Sequence, residues 1–182
     1  MVMNLAKGID PRPVVADREA KSVSNETTFS QDLSDLKSLE TELEALCLKL
    51  SSRLKAKGIA GGTVTLKLKR ANHRVITRSR SLPSRIDKAY QLFDIGRDLL
   101  INEVGNNNKF RLLGIGVNHL GEAYEARLFD LDGGEDNRRN RLEAAVDRLH
   151  IKMGPNVLRT GRQFTKAIKA KRTTDEQIKQ PK

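Results

Sequence analysis

The chain is poor in the residues that do chemistry alone. It has one cysteine, Cys47, which excludes an internal disulfide and a cysteine-based metal cluster. His73, His119 and His150 stand far apart, without metal-ligand spacing. Aromatic residues make up only 4% and tryptophan is absent, which disfavours a surface that stacks exposed bases. No run of about 18 apolar residues is present, so no membrane span is expected. The opening "MVMNLAKGID" lacks a signal-peptide apolar core. With a single reduced cysteine, a cytoplasmic location is expected. No phosphate-cradling glycine loop, HExxH pair or Cys/His/Asp set lies on one element. Asp130 and Asp132 form a carboxylate pair, but in an acidic stretch with no scaffold. No catalytic residue, metal or cofactor is expected in this chain.

Acidic residues are also in deficit. The 182 residues carry 34 Lys and Arg against 23 Asp and Glu, a formal charge of +11. Such an excess favours polyanionic partners: nucleic acid, an acidic membrane face or an acidic protein.

Residues 1–10 read as a helix tail capped by Gly8, and Pro11 and Pro13 then impose extended chain. A helix tail followed by a linker suggests a larger upstream part. "KSVSNETTF", 21–29, reads as a strand. Leu36, Leu39, Leu43, Leu46, Leu50 and Leu54 recur at helical spacing, with Ser34 and Gly58 as expected caps. "GGTVTLKLKR", 61–70, alternates, with Val64, Leu66 and Leu68 inward and Thr65, Lys67 and Lys69 outward. Ala71–His73 makes a tight turn into "RVITRSRSLP", 74–83, completing a hairpin that Pro83 ends. Ser84 and Asp87 have the form of a capping box for a helix running to about Val104. "FRLLGIGVNHL", 110–120, is a fourth strand, with Leu113, Ile115 and Val117 inward. Beyond it lie an acidic tether, a helix with Leu142, Val146, Leu149 and Met153 on one side, and a Lys-rich end.

The order β-α-β-β-α-β predicts an α+β fold: a four-stranded sheet, two helices on one face and a C-terminal tail helix. The uncovered face is expected to carry Ser22, Ser24, Thr65, Lys67, Lys69, Arg78, Arg80, Gly114 and Gly116. Gly61–Leu120 contains 11 Lys and Arg but 4 Asp and Glu. Lysine and arginine neutralise phosphates, hydroxyls and peptide N–H groups donate to them, and glycine lets a backbone come close. Duplex binding with little base readout is therefore favoured over single-strand recognition. An ordinary solvated basic sheet would carry the same residues.

Several strings, "GIDPRPV", "KSVSNETTF", "RSRSLP" and "FRLLGIGVNHL", at these spacings resemble the C-terminal part of the bacterial Y-family translesion polymerases of the DNA polymerase IV type. The resemblance covers about residues 1–129, and the helix from Arg141 also looks like a tail that some members carry. It implies the end of a thumb and a linker at 1–20, a little finger at 21–120, a tether at 121–137 and a tail at 138–182. The implied DNA-binding positions are Ser22, Ser24, Lys67, Lys69, Arg78, Ser79, Arg80, Gly114 and Gly116. The implied partner is duplex or primer–template DNA, bound by a monomer. The carboxylates that hold two Mg²⁺ ions in full-length relatives have no counterpart here, so the chain reads as an excised or truncated part with no polymerase activity of its own. "EARLF", 125–129, matches the family's sliding-clamp peptide at Leu128 and Phe129. A fragment acting mainly through the clamp is the alternative function.

Overall fold

A computed structural model describes residues 6–10, 13, 19–105, 108–123, 135–154, 157, 158, 161, 162 and 164. In chain order the elements are β1 (Ser22–Leu33), α1 (Leu36–Ala56), β2 (Ile59–Arg70), β3 (Val75–Ile86), α2 (Ala89–Ile101), β4 (Phe110–Glu122) and α3 (Glu135–Met153). The strands form one antiparallel sheet in the order β1-β4-β2-β3. The expected α+β architecture is therefore observed.

The core lies between one sheet face and the two helices α1 and α2. Leu39, Leu43, Leu46, Leu50 and Leu54 of α1 pack with Leu92 and Leu100 of α2 against Val64, Leu66, Leu68, Leu113, Ile115 and Val117. The leucine period of α1 thus has its expected use. Its first turn is capped by Asp35, one residue beyond the expected Ser34, whose carboxylate accepts the Ser38 N–H at 2.8 Å. Gly58 follows the last turn at φ 64°, a left-handed conformation that favours glycine. Cys47 is fully buried. Burial, then the charges of Glu44 and Asp94, push its thiol pKa far up, which keeps it protonated and unreactive.

The hairpin's exit differs from expectation. β3 continues through Pro83 to Ile86, and α2 begins at Ala89 instead of Ser84. β3 is an edge strand, where the missing N–H of proline breaks no ladder. The extra residues are absorbed by a register shift between the Thr63–Ser81 and Gly61–Ile86 pairs.

Consequently α2 starts without a cap of its own: Lys88 makes no side-chain cap hydrogen bond. The cap comes from α3. The Ala89 N–H donates to Glu143 Oε1 at 2.9 Å. Glu143 also pairs with Lys55 of α1, which reaches Asp147 at 2.6 Å. Tyr90 donates to Asn140 Oδ1 at 2.8 Å, and Arg139 pairs with Asp94 at 2.9 Å while lying over the Tyr90 ring. α3 therefore docks through its polar side. The apolar side that the sequence marks on this helix does not carry the docking, and Leu142 is 66% and Met153 61% exposed. The orphan N–H of Ala89 and the half-buried Lys55 each draw a carboxylate, which α3 supplies.

Glu143→Ala is expected to lower stability by about 1–2 kcal/mol, the usual cost of losing a helix cap. A urea titration checks this, and an unchanged midpoint would mean that α3 contributes nothing. Burial by itself would lower the pKa of Lys55. Hydrogen bonds and charge from Asp147 and Glu143 outweigh it and raise the pKa above its ordinary 10.5. A raised lysine pKa stabilises the fold fully below that value and less as pH climbs through the folded-state value. The difference in thermal stability from Lys55→Met should thus hold constant to about pH 10 and shrink above it.

Candidate nucleic-acid interface

Residues directly opposed across an antiparallel pair project to the same side of the sheet. The register therefore assigns every side chain to a face. Lys67 opposes Gly114 of β4 and Thr77 of β3, and Gly114 in turn opposes Glu26 of β1. Thr65 opposes Gly116 and Ser79, and Gly116 opposes Ser24. Lys69 opposes Leu112 and Val75, and Ser22 opposes Asn118. All of these lie opposite the helices. Ser22, Ser24, Thr65, Lys67, Lys69, Gly114 and Gly116 are thus brought together on one uncovered face, as the sequence predicts, and Ser79, which alternation sets on the side of β3 away from Arg78 and Arg80, lies there too. Thr63, Thr77, Ser81 and Asn118 join them: strand periodicity marks Thr63 and Asn118, whereas Thr77 and Ser81 are placed here by the register of β3.

Arg78 and Arg80 do not share this face. They oppose Leu66 and Val64, whose side chains are in the core, so the two arginines project to the helix side. Arg78 Nε pairs with Glu103 at 2.7 Å and Arg80 Nη1 with Asp98 at 3.0 Å. The turn is the cause. The Arg70 N–H donates to the Arg74 carbonyl and the His73 N–H to the Arg70 carbonyl. His73 sits at φ 67°. Three residues are thus spanned between an opposed Arg70 and Arg74. Even-numbered residues of β3 then meet even-numbered residues of β2, which are the core leucines.

The open face is flat and polar. Gly114 and Gly116 keep it so. A Cβ at 114 would lie 2.9 Å from the Glu26 Cβ, and one at 116 would lie 2.7 Å from the Ser24 Cβ. Glycine here lets β1 close on β4, besides leaving the floor free of side chains. A shallow trough of about 230 Å³ runs over it, touched by Ser24, Thr65, Lys67, Thr77, Gly116 and Asn118. Above Gly114, Lys67 reaches across to Glu26 at 2.9 Å. Thr65 and Ser79 share a hydrogen bond of 3.0 Å, and Asn118 Nδ2 donates to Thr65 at 3.2 Å. Thr63 bonds Ser81 at 3.2 Å and His119 Nδ1 at 2.9 Å. Thr65, Ser79 and Ser81 are held in place by these bonds and stay exposed or half-exposed at the surface, whereas Thr63 is buried.

Among the described residues no group of three or more His, Cys, Asp or Glu could hold a metal ion. No helix among the described residues is long and apolar enough to cross a membrane. Leu128 and Phe129 lie outside the described residues.

Comparison with known proteins gives this geometry a context. Residues 20–131 match the model of the impB/mucB/samB family C-terminal domain. The chain is 42% identical over 160 residues to DNA polymerase IV 1 of Mesorhizobium japonicum, covering 88% of this chain and 36% of that protein. It is 42% identical over 170 residues to DNA polymerase IV of Brucella melitensis, covering 93% of this chain and 38% of that protein. Among solved structures, the insertion ternary complex of Dbh DNA polymerase aligns with a TM-score of 0.49 and 13% identity, over 64% of this chain and 33% of that one. The chain thus spans little more than a third of the curated relatives it matches. With the matched segment containing the whole four-stranded sheet and both core helices, the chain belongs to the impB/mucB/samB family and carries its C-terminal domain, the little finger of the Y-family DNA polymerases.

Proposed function

We propose that this chain is the DNA-gripping region of a translesion polymerase, laying its open sheet face along the primer–template backbone during damage bypass. The observation that carries this reading is the single face on which Lys67 and Lys69 stand among Ser22, Ser24, Thr65, Thr77 and Ser79 over the glycine floor. The lysines neutralise phosphates and release counterions, and the hydroxyls donate to phosphate oxygens. None of the face residues named above is aromatic and none is buried in a base-shaped slot, so the grip is indifferent to sequence. Arg78 and Arg80, more than two-fifths exposed but already paired with acids, serve from the sheet edge as secondary phosphate contacts. Nucleotide joining belongs to the parts of the relatives that lie outside this chain.

The test is fluorescence anisotropy of a labelled primer–template across a salt series. Affinity should fall steeply as salt rises and should not change when the duplex sequence is scrambled. Salt-independent binding, or binding to single strands only, would overturn the assignment. Leu128 and Phe129, an apolar pair in an acidic segment, support a second contact with a sliding clamp. Undiminished clamp pull-down by the doubly alanine-substituted chain would exclude it.

A further inference from the structure

The C-terminal 48 residues, 135–182, hold 13 Lys and Arg against 6 Asp and Glu, an excess of seven positive charges. Docking sorts those charges within α3. Glu143 and Asp147 are turned inward onto Lys55 and the start of α2. Arg138, Arg141, Arg148 and Lys152 are all exposed. Their spacing of three, seven and four residues puts them within one narrow arc of the helix surface. Ala145 fills the remaining position of that row. The four cations form a strip about 21 Å long. They have no ion pair among the described residues, whereas Lys67, Arg78, Arg80 and Arg97 each hold a carboxylate.

We propose that this strip is a second phosphate-binding surface, for a segment of double-stranded DNA distinct from the one on the sheet face. Charge complementarity selects the occupant. A straight row of unpaired cations matches a polyanion of regular charge. Three of the four are arginines, whose fork binds phosphate oxygens in pairs. An anionic membrane would need a broad apolar face beside the cations. Here that face is a ridge of Leu142, Leu149 and Met153 without an aromatic. The strip lies beyond the helices, on the far side of the sheet from Lys67 and Lys69, so one straight duplex does not reach both. The proposal shares its class of partner with the sheet-face reading but does not depend on it.

The experiment uses the full chain and a 20-base-pair duplex. Arg138, Arg141, Arg148 and Lys152 are replaced together by alanine, both in the native sequence and in a Lys67→Glu, Lys69→Glu background. These residues make no described contact with the core, and an unchanged urea midpoint confirms folding. In the native background, the stoichiometry at low salt should fall from about two duplexes per chain to about one as the strip's phosphate contacts are lost. In the lysine-reversed background, residual salt-dependent binding should disappear. If only the lysine reversal matters and the strip variant binds as many duplexes per chain as the native sequence, the strip is not a DNA surface. Binding to vesicles of equal phosphatidylcholine and phosphatidylglycerol that the strip variant loses, with its DNA stoichiometry unchanged, would overturn the proposal in favour of lipid. If the lysine reversal has no effect but the strip variant does, the sheet-face reading fails and this one stands.

Discussion

Lys67→Glu with Lys69→Glu is expected to weaken duplex binding about 100-fold at physiological salt, equally for unrelated sequences. Both lysines stand on the open face, and reversal both removes two phosphate contacts and adds two repulsive charges. The salt slope should fall by about 1 for each lysine. Glu26 supplies an internal control. It already holds Lys67 at 2.9 Å across Gly114. Glu26→Gln frees that lysine and should tighten binding a few-fold. Arg78→Ala with Arg80→Ala should cost less than the lysine reversal, because those guanidinium groups lie on the helix side and are neutralised by Glu103 and Asp98. If the arginine pair proves dominant, DNA approaches the edge of β3 and not the open face.

Gly61→Val is expected to cost about 3 kcal/mol of stability, at the upper end of overpacking penalties. Gly61 opposes Leu120 of β4 and Ile86 of β3, so its backbone is held from both sides. A Cβ there would lie 2.4 Å from the Val117 Cβ and 2.8 Å from its Cγ2. Val117 is fully buried, and the atom that clashes is the one nearest its own backbone. It cannot swing aside, so the β2–β4 ladder itself must open. The neighbouring Gly62 is the matched control. A Cβ at 62 finds its nearest atom at 3.6 Å, an ordinary contact. Gly62→Ala should shift the urea midpoint little. Equal losses at the two positions would mean a general aversion to side chains at the start of β2 and would sink the steric explanation.

Much of the architecture was legible before any coordinates. The leucine spacing of α1 and the alternation of β2 each report which side of an element faces oil. Hence the core and the polar face with Lys67 and Lys69 were readable. Two things were not. The sequence of α3 shows an apolar side, but not that the helix docks through Glu143 and Asp147. Its real partner is the uncapped N–H of Ala89, which exists only because β3 runs past Pro83 and delays α2. No local pattern in 135–153 announces that vacancy.

The stretch "RVITRSRSLP" shows the same division most sharply. By itself the sequence determined that Arg74, Arg78 and Arg80 share one side of a strand, because strand side chains alternate with a period of two. Which side that is depended on the bend before it. His73 takes the left-handed φ of 67°, and the turn then spans three residues instead of an even number. A one-residue change in a turn reverses every side chain that follows. Only the assembled hairpin, packed by Leu66 and Leu68 against the helices, decided that the lysines face outward to solvent while the arginines face the acids of α2 and its end.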